Sequence, residues 1–208
     1  MATHIKPLLK YVTRNDWGAD NSLPRLGDNV AKSYRTHVIF HHTVIVDSDA
    51  SKNIWENETE IFAKMKQLQV IRPDLGLDVP YNHVVFLTTS PKKYPMVIVC
   101  EGRGNVRSGA HTARDSTGQE HNYSGIGIAV EGNLENYPTD VFPWTKLLSY
   151  FCGWLKYPVG MGNLATIRPE PLPGRAMWGH QDFSQTACPG KSLWDDLIWV
   201  RYLNPLTN

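Results

Sequence analysis

No stretch of this 208-residue sequence approaches the roughly 18 to 20 consecutive apolar residues that cross a bilayer as a helix. The first twenty residues, MATHIKPLLKYVTRNDWGAD, also lack the apolar core of a secretory signal. The expectation is a chain with no integral membrane segment, made in the cytoplasm without a signal peptide. Charge of one sign is missing too. Lys and Arg number 21 against 20 Asp and Glu, and no basic block exceeds that in "PKK" at 91–93. That excludes the electrostatic footprint of a nucleic-acid binder. Cysteine is scarce: Cys100, Cys152 and Cys188 are an odd set that cannot complete a disulfide framework. Internal repeats and low-complexity linkers are absent as well.

What is present describes an ordinary globular composition, 41% hydrophobic and 20% charged. The length suits one domain, 1–208, with a sizeable core. Seven Trp and nine Tyr suit both a core and a groove that stacks on sugar rings. "THVIFHHT" (36–43) is rich in β-branched and aromatic residues and predicts a buried strand. In 51–71, Ile54, Ile61, Phe62, Met65 and Leu68 recur at helical spacing and predict an amphipathic helix. "HVVFLTT" (83–89) and "PMVIVCEG" (95–102) read as strands joined by the hairpin "SPKKY", and "GIGIAVEG" (125–132) as another strand. A helix is expected over 141–156, with Pro143 tolerated in its first turn, then a Pro/Gly-rich loop over 157–177. "SLWDDLIWVRYL" predicts a final helix. The fold class is therefore α/β in the mixed α+β sense, a central mixed β-sheet flanked by helices. Cys100 ends an apolar run and Cys152 lies in an aromatic helical stretch, so both read as buried small hydrophobes.

Only Cys188 has suggestive surroundings, in "GHQDFSQTACPG" eight residues after His180. Imidazole and thiolate are the side chains that bind zinc best, and a catalytic zinc takes three protein ligands and keeps one position open. A third ligand is available where the first strand runs out, at His41 or His42. Alternation along a strand points these two to opposite faces, so only one of them can readily join His180 and Cys188.

The segments "RNDWGAD", "VIFHHTV", "VPYNHVVF", "CEGRG", "GAH", "GIGIAVEGN" and "GHQDFSQTACPG" follow one another between about residues 14 and 195. In that order they resemble the zinc-dependent N-acetylmuramoyl-L-alanine amidases, a family that includes the peptidoglycan recognition proteins and phage lysozymes with amidase activity. The resemblance implies zinc ligands at His41, His180 and Cys188, one ion per chain, and selects His41 over His42. It also implies catalytic roles for Tyr81 and Thr186, and substrate-groove positions at Arg103 and His111, with His42 beside them. Inactive members commonly carry Ser at the Cys188 position. A second branch of amidases uses a catalytic Glu on the "GIGI" strand; here Ala129 stands at that place, and Glu131, two residues on, reads as structural.

The chemistry suits these residues. Two neutral imidazoles and one thiolate leave Zn²⁺ with a net charge near +1, able to activate water and polarise a carbonyl. Tyr81, with an ordinary phenol pKa near 10, suits hydrogen bonding better than proton abstraction at neutral pH. The expected reaction is hydrolysis of the amide between N-acetylmuramic acid and L-alanine, with peptidoglycan or a muropeptide as partner. Such a chain reaches the wall through a holin-type pore, lysis or specialised secretion, as a phage endolysin does. The alternatives are a binding module that holds muramyl peptide without cutting it, and a cytoplasmic amidase that recycles soluble anhydromuropeptides.

Overall fold

The computed structural model describes residues 8–31, 34–44, 55, 57–89, 95–135 and 177–202. Six segments pair into one mixed sheet: β1 (Leu8–Val12), β2 (His37–His42), β3 (His83–Thr89), β4 (Pro95–Glu101), β5 (Gly125–Val130) and β6 (Met177–Gly179). Their order across the sheet is β1-β4-β3-β5-β2-β6. Only β3 and β4 are antiparallel, paired from His83 opposite Glu101 to Thr89 opposite Pro95. The other neighbours run parallel. Parallel strands are covered on both faces, which favours unbroken apolar runs over alternation. All six residues of β5 are buried, and every residue of β2 after His37 is buried too.

Among the described residues three α-helices accompany the sheet: α1 (Arg14–Trp17), α2 (Glu58–Val70) and α3 (Lys191–Tyr202). The Asn57 side chain accepts from the Glu60 N–H at 3.0 Å, and Glu58 and Glu60 sit in the first turn of α2. Both features favour a helix start at that point. The helical spacing predicts a start near 51, but the helix begins at Glu58, and Trp55 donates its backbone N–H to Leu87 O at 2.8 Å. A residue bonded to β3 in this way has left the helical ladder. Helix α2 lays Ile61, Met65 and Leu68 against Val84, Phe86, Ile98 and Cys100 of β3 and β4. Burial of each such aliphatic side chain stabilises by about 1.5–3 kcal/mol.

"RNDWGAD" folds into the short helix α1. Thr13 caps it by accepting from the Asp16 N–H while the Asp16 carboxylate accepts from the Thr13 N–H, and Gly18 ends it at φ 72°. Trp17 is buried and its indole N–H donates to Glu101 O at 2.9 Å. Arg14 reaches 2.8 Å to the fully buried Asp78, with Arg103 3.8 Å from the same carboxylate. Glu101 pairs with Arg25 at 2.5 Å. Arg35, also fully buried, has no carboxylate partner among these bonds. Its guanidinium donates instead to the carbonyls of Asn105, Arg107, Tyr123 and Gly125.

Strands β1 and β6 and helix α1 were not anticipated; the other expected strands and the final helix agree within two residues at each end. Cys100 is buried in β4 as expected. The hairpin 90–94, the expected helix 141–156 with Cys152, and the loop from 157 to 176 lie outside the described residues.

Candidate metal centre and groove

The parallel strands β2 and β6 end side by side, Phe40 opposite Gly179. His41 follows in β2 and His180 opens the turn after β6, so the sheet brings together two histidines 139 positions apart. The segment before α3 supplies the third group. The Thr186 hydroxyl accepts from the Cys188 N–H at 3.2 Å, and Gln181 N–H donates to Cys188 O at 2.9 Å. The Cys188–Pro189 peptide is cis. These bonds hold Cys188 against the end of β2, where its Sγ accepts from the His42 N–H at 3.4 Å.

Among the described residues, His41, His180 and Cys188 form the group of metal-binding side chains whose ligand atoms all lie within 4.8 Å of one another. Nδ1 of His41 stands 3.6 Å from Cys188 Sγ. Tetrahedral zinc, with nitrogen at about 2.1 Å and sulfur at about 2.3 Å, separates two such ligands by about 3.6 Å. The donor set and its spacing therefore fit zinc. Burial, together with the neighbouring His111 and His180, holds the His41 imidazole far below its usual pKa. Burial lowers His180 as well. Both rings are thus neutral and ready to ligate at pH 7. Burial pushes the Cys188 thiol up to about 12, against the opposing hydrogen bond from the His42 N–H.

The histidine pair at the end of β2 separates as alternation requires. His41 turns to the side of Tyr81, with ring centroids 5.2 Å apart. His42 turns its Nδ1 toward the Leu134 N–H at 3.3 Å. A cavity of about 360 Å³ opens over the three donors, and Tyr81, His111, Thr186 and His42 also line it. Its far wall is the end of α2 and the residues after it, Leu68, Ile71 and Arg72. Burial raises the Tyr81 phenol above its ordinary value, with Cys188 and Glu131 adding to the rise. Tyr81 is accordingly a donor at neutral pH. Thr186, which accepts from Cys188, keeps its own O–H to donate.

Arg103 is placed differently. Its Nε donates to Val79 O at 3.1 Å beside Asp78, so it belongs to the buried ion cluster and not to the cavity wall. Glu131 is buried at the end of β5, and His41 pairs in register with Ala129. Two features escaped the sequence reading. Ile71 and Arg72 stand at the cavity because α2 ends there, and Asn122 clamps the loop that carries His111. The N–H groups of His111 and Thr112 donate to Asn122 Oδ1 at 2.8 and 3.1 Å. A lone Asn before a strand carries no signal for such a role.

No protein-family model matches the chain. Peptidoglycan-recognition protein SC2 of Drosophila simulans is 23% identical over 188 residues, covering 89% of this chain and 83% of that protein. Among solved structures, Drosophila peptidoglycan recognition protein LB superposes with a TM-score of 0.63 at 20% identity, over 95% of this chain and 99% of the other. A tyrosine-to-phenylalanine variant of the same protein, solved in complex with tracheal cytotoxin, gives 0.59 at 19% identity over 90% and 92%. In sequence and in fold, the chain is similar to peptidoglycan recognition proteins.

Proposed function

We propose that the chain, acting as one domain, is a zinc-dependent N-acetylmuramoyl-L-alanine amidase that strips stem peptides from peptidoglycan. The observation that carries this reading is the 3.6 Å approach of His41 Nδ1 to Cys188 Sγ, in a cavity that also holds His180 and Tyr81. His41, His180 and Cys188 would hold the metal. When bound, zinc supplies Lewis acidity at the scissile carbonyl and an activated water.

The remaining work falls to this chain's own groups. Tyr81 keeps its proton and donates to the oxygen that gains charge as the carbonyl becomes tetrahedral, where a single such donor is worth roughly 10²–10³ in rate. Thr186 offers a second O–H on the same wall while steadying the backbone of Cys188. Leu68 and Ile71 give one wall of the cavity an apolar surface, and Arg72, its guanidinium held by Asp74, stands beside them. Hydrolysis leaves the lactyl carboxylate on the glycan and a free amine on L-alanine.

The test is digestion of isolated sacculi. The expected products are new N-terminal L-alanine amines and no new reducing sugar ends, with activity lost to chelator and restored by zinc. Reducing ends without alanine amines would reject the amidase reading, since a glycosidase needs two carboxylates flanking its bond. A second reading, binding without cleavage, is favoured by the neighbour solved with tracheal cytotoxin. Saturable muropeptide binding with no amine release would establish it. Cleavage of soluble anhydromuropeptides but not of sacculi would point instead to recycling.

A further inference from the structure

The two ring nitrogens of His41 have separate neighbours. Nδ1 faces Cys188 Sγ at 3.6 Å, and Nε2 lies 3.0 Å from Nδ1 of His111. The two imidazoles meet edge to face, with centroids 4.9 Å apart and planes at 71°. The His111 ring is mounted to stay there. Asn122 grips its backbone from below, and Ala110 N–H donates to Pro80 O at 2.8 Å on the preceding residue. The far edge of the ring slides over two glycines. A Cβ on either Gly109 or Gly127 would stand 2.2 Å from His111 Cδ2, so any side chain there would expel the ring. Its Nε2 is buried in this slot with no hydrogen-bond partner among the described residues.

A neutral imidazole carries one proton and ligates a metal through the other nitrogen. If His41 is to offer Nδ1, its proton must sit on Nε2, and that N–H needs an acceptor. His111 Nδ1 is the acceptor within reach. In the reverse arrangement His111 donates, the lone pair of His41 Nε2 is consumed, and an Nδ1–H blocks the side facing Cys188. Metal-binding histidines usually give their second N–H to a carboxylate, a backbone carbonyl or water. Here a histidine takes that place. We propose that His111 is a positioning residue for the metal, accepting the Nε2–H of His41 and so presenting Nδ1 as the ligand atom. This rests on the zinc reading of the site and gives His111 a task besides lining the groove.

The experiment combines zinc affinity, by competition with a chromogenic chelator, with long-range ¹H–¹⁵N correlation of the histidine rings in the zinc-loaded parent chain. The parent should bind one zinc, with His41 protonated at Nε2 and coordinated at Nδ1. His111→Leu should weaken binding by about 10- to 100-fold, the range for loss of such a partner. His111→Asn, which can set an amide oxygen near the place of Nδ1, should recover most of that loss. Coordination of His41 through Nε2 would overturn the proposal whatever the variants do, as would His111→Leu binding zinc as tightly as the parent. If the parent itself binds no zinc, the metal reading fails and this inference goes with it; parent binding with an indifferent His111→Leu removes the inference alone.

Discussion

A Cβ placed on Gly190 would stand 2.8 Å from Nδ1 of His42 and 2.6 Å from the carbonyl carbon of Leu134. Gly190 also has φ +90°, in the left-handed half of the map that residues with a side chain avoid. The Gly of "CPG" thus lets the chain turn from Cys188 into α3 while touching the end of β2. Gly190→Ala should cost about 1–3 kcal/mol, the range for such backbone strain. It should also shift Cys188 off its position. The checks are urea unfolding and zinc affinity in one preparation; an alanine variant equal to the parent in both would show that the turn tolerates a side chain.

Zinc uptake at neutral pH should release one proton per chain. The His41 and His180 imidazoles are already neutral, whereas the Cys188 thiol, pushed up to about 12, must lose its proton to ligate. Apparent affinity should therefore fall about tenfold for each unit of pH lowered through the neutral range. Calorimetric titration in two buffers of different ionisation enthalpy reads the proton count directly. Cys188→Ser should abolish that release and most of the binding; a count near zero for the parent would remove Cys188 from the ligand set.

Tyr81→Phe should leave zinc affinity unchanged and lower turnover by roughly 10²–10³, the value of one preorganised donor. Burial holds the phenol protonated, so turnover should show no alkaline limb from Tyr81 up to pH 10. Loss of zinc in the phenylalanine variant would make the ring a support for His41 instead.

His83 predicts a pH effect on stability unconnected with the metal. It is fully buried, with Nε2 2.7 Å from Asn105 Oδ1, and burial lowers it to about 4 from the ordinary 6.5. As pH falls below 6.5 the unfolded chain takes up the proton first. The stability contributed by the neutral ring is therefore complete above 6.5 and lost on the way down to 4. Its size is on the order of 3 kcal/mol. His37 and His42 are lowered to about 4 in the same way, so the parent's slope exceeds one proton. Urea unfolding across this window should show a shallower loss for His83→Gln, and an identical slope would mean that His83 titrates normally in the fold.

The residues that could be read from the sequence are those whose signal is local. "VIFHH" declared a strand by β-branching and an exit by its histidines, and alternation alone separated His41 from His42. His180 and Cys188 offered two side chains of the metal-binding kind, and the sheet sets His41 beside them. What could not be read depends on distant contacts. "LLKYV" has no alternation that marks it as β1, and β6 is three residues long, so both became strands only by pairing with β4 and β2. The early start expected for α2 failed because Trp55 found a partner in Leu87. Arg103 was matched to the groove by its motif "EGRG", yet Asp78, 25 residues earlier, draws it into the interior.

The single guanidinium of Arg35 holds the carbonyls of Asn105 and Arg107 at one neck of a surface excursion, and those of Tyr123 and Gly125 at the other. A loop cinched in this way is joined at its base by one side chain. The cation ties the two necks to each other, beside the bond that Asn82 gives to Arg107 O and the pairing of Gly125 with His37. Amides between 105 and 125 should therefore exchange with solvent in one concerted opening, as a single foldon, instead of by a gradient from the loop tip. His111 rides inside that unit. In such an opening one side of the candidate metal site would come and go as a whole, with Arg35 at the other end of β2 as its latch.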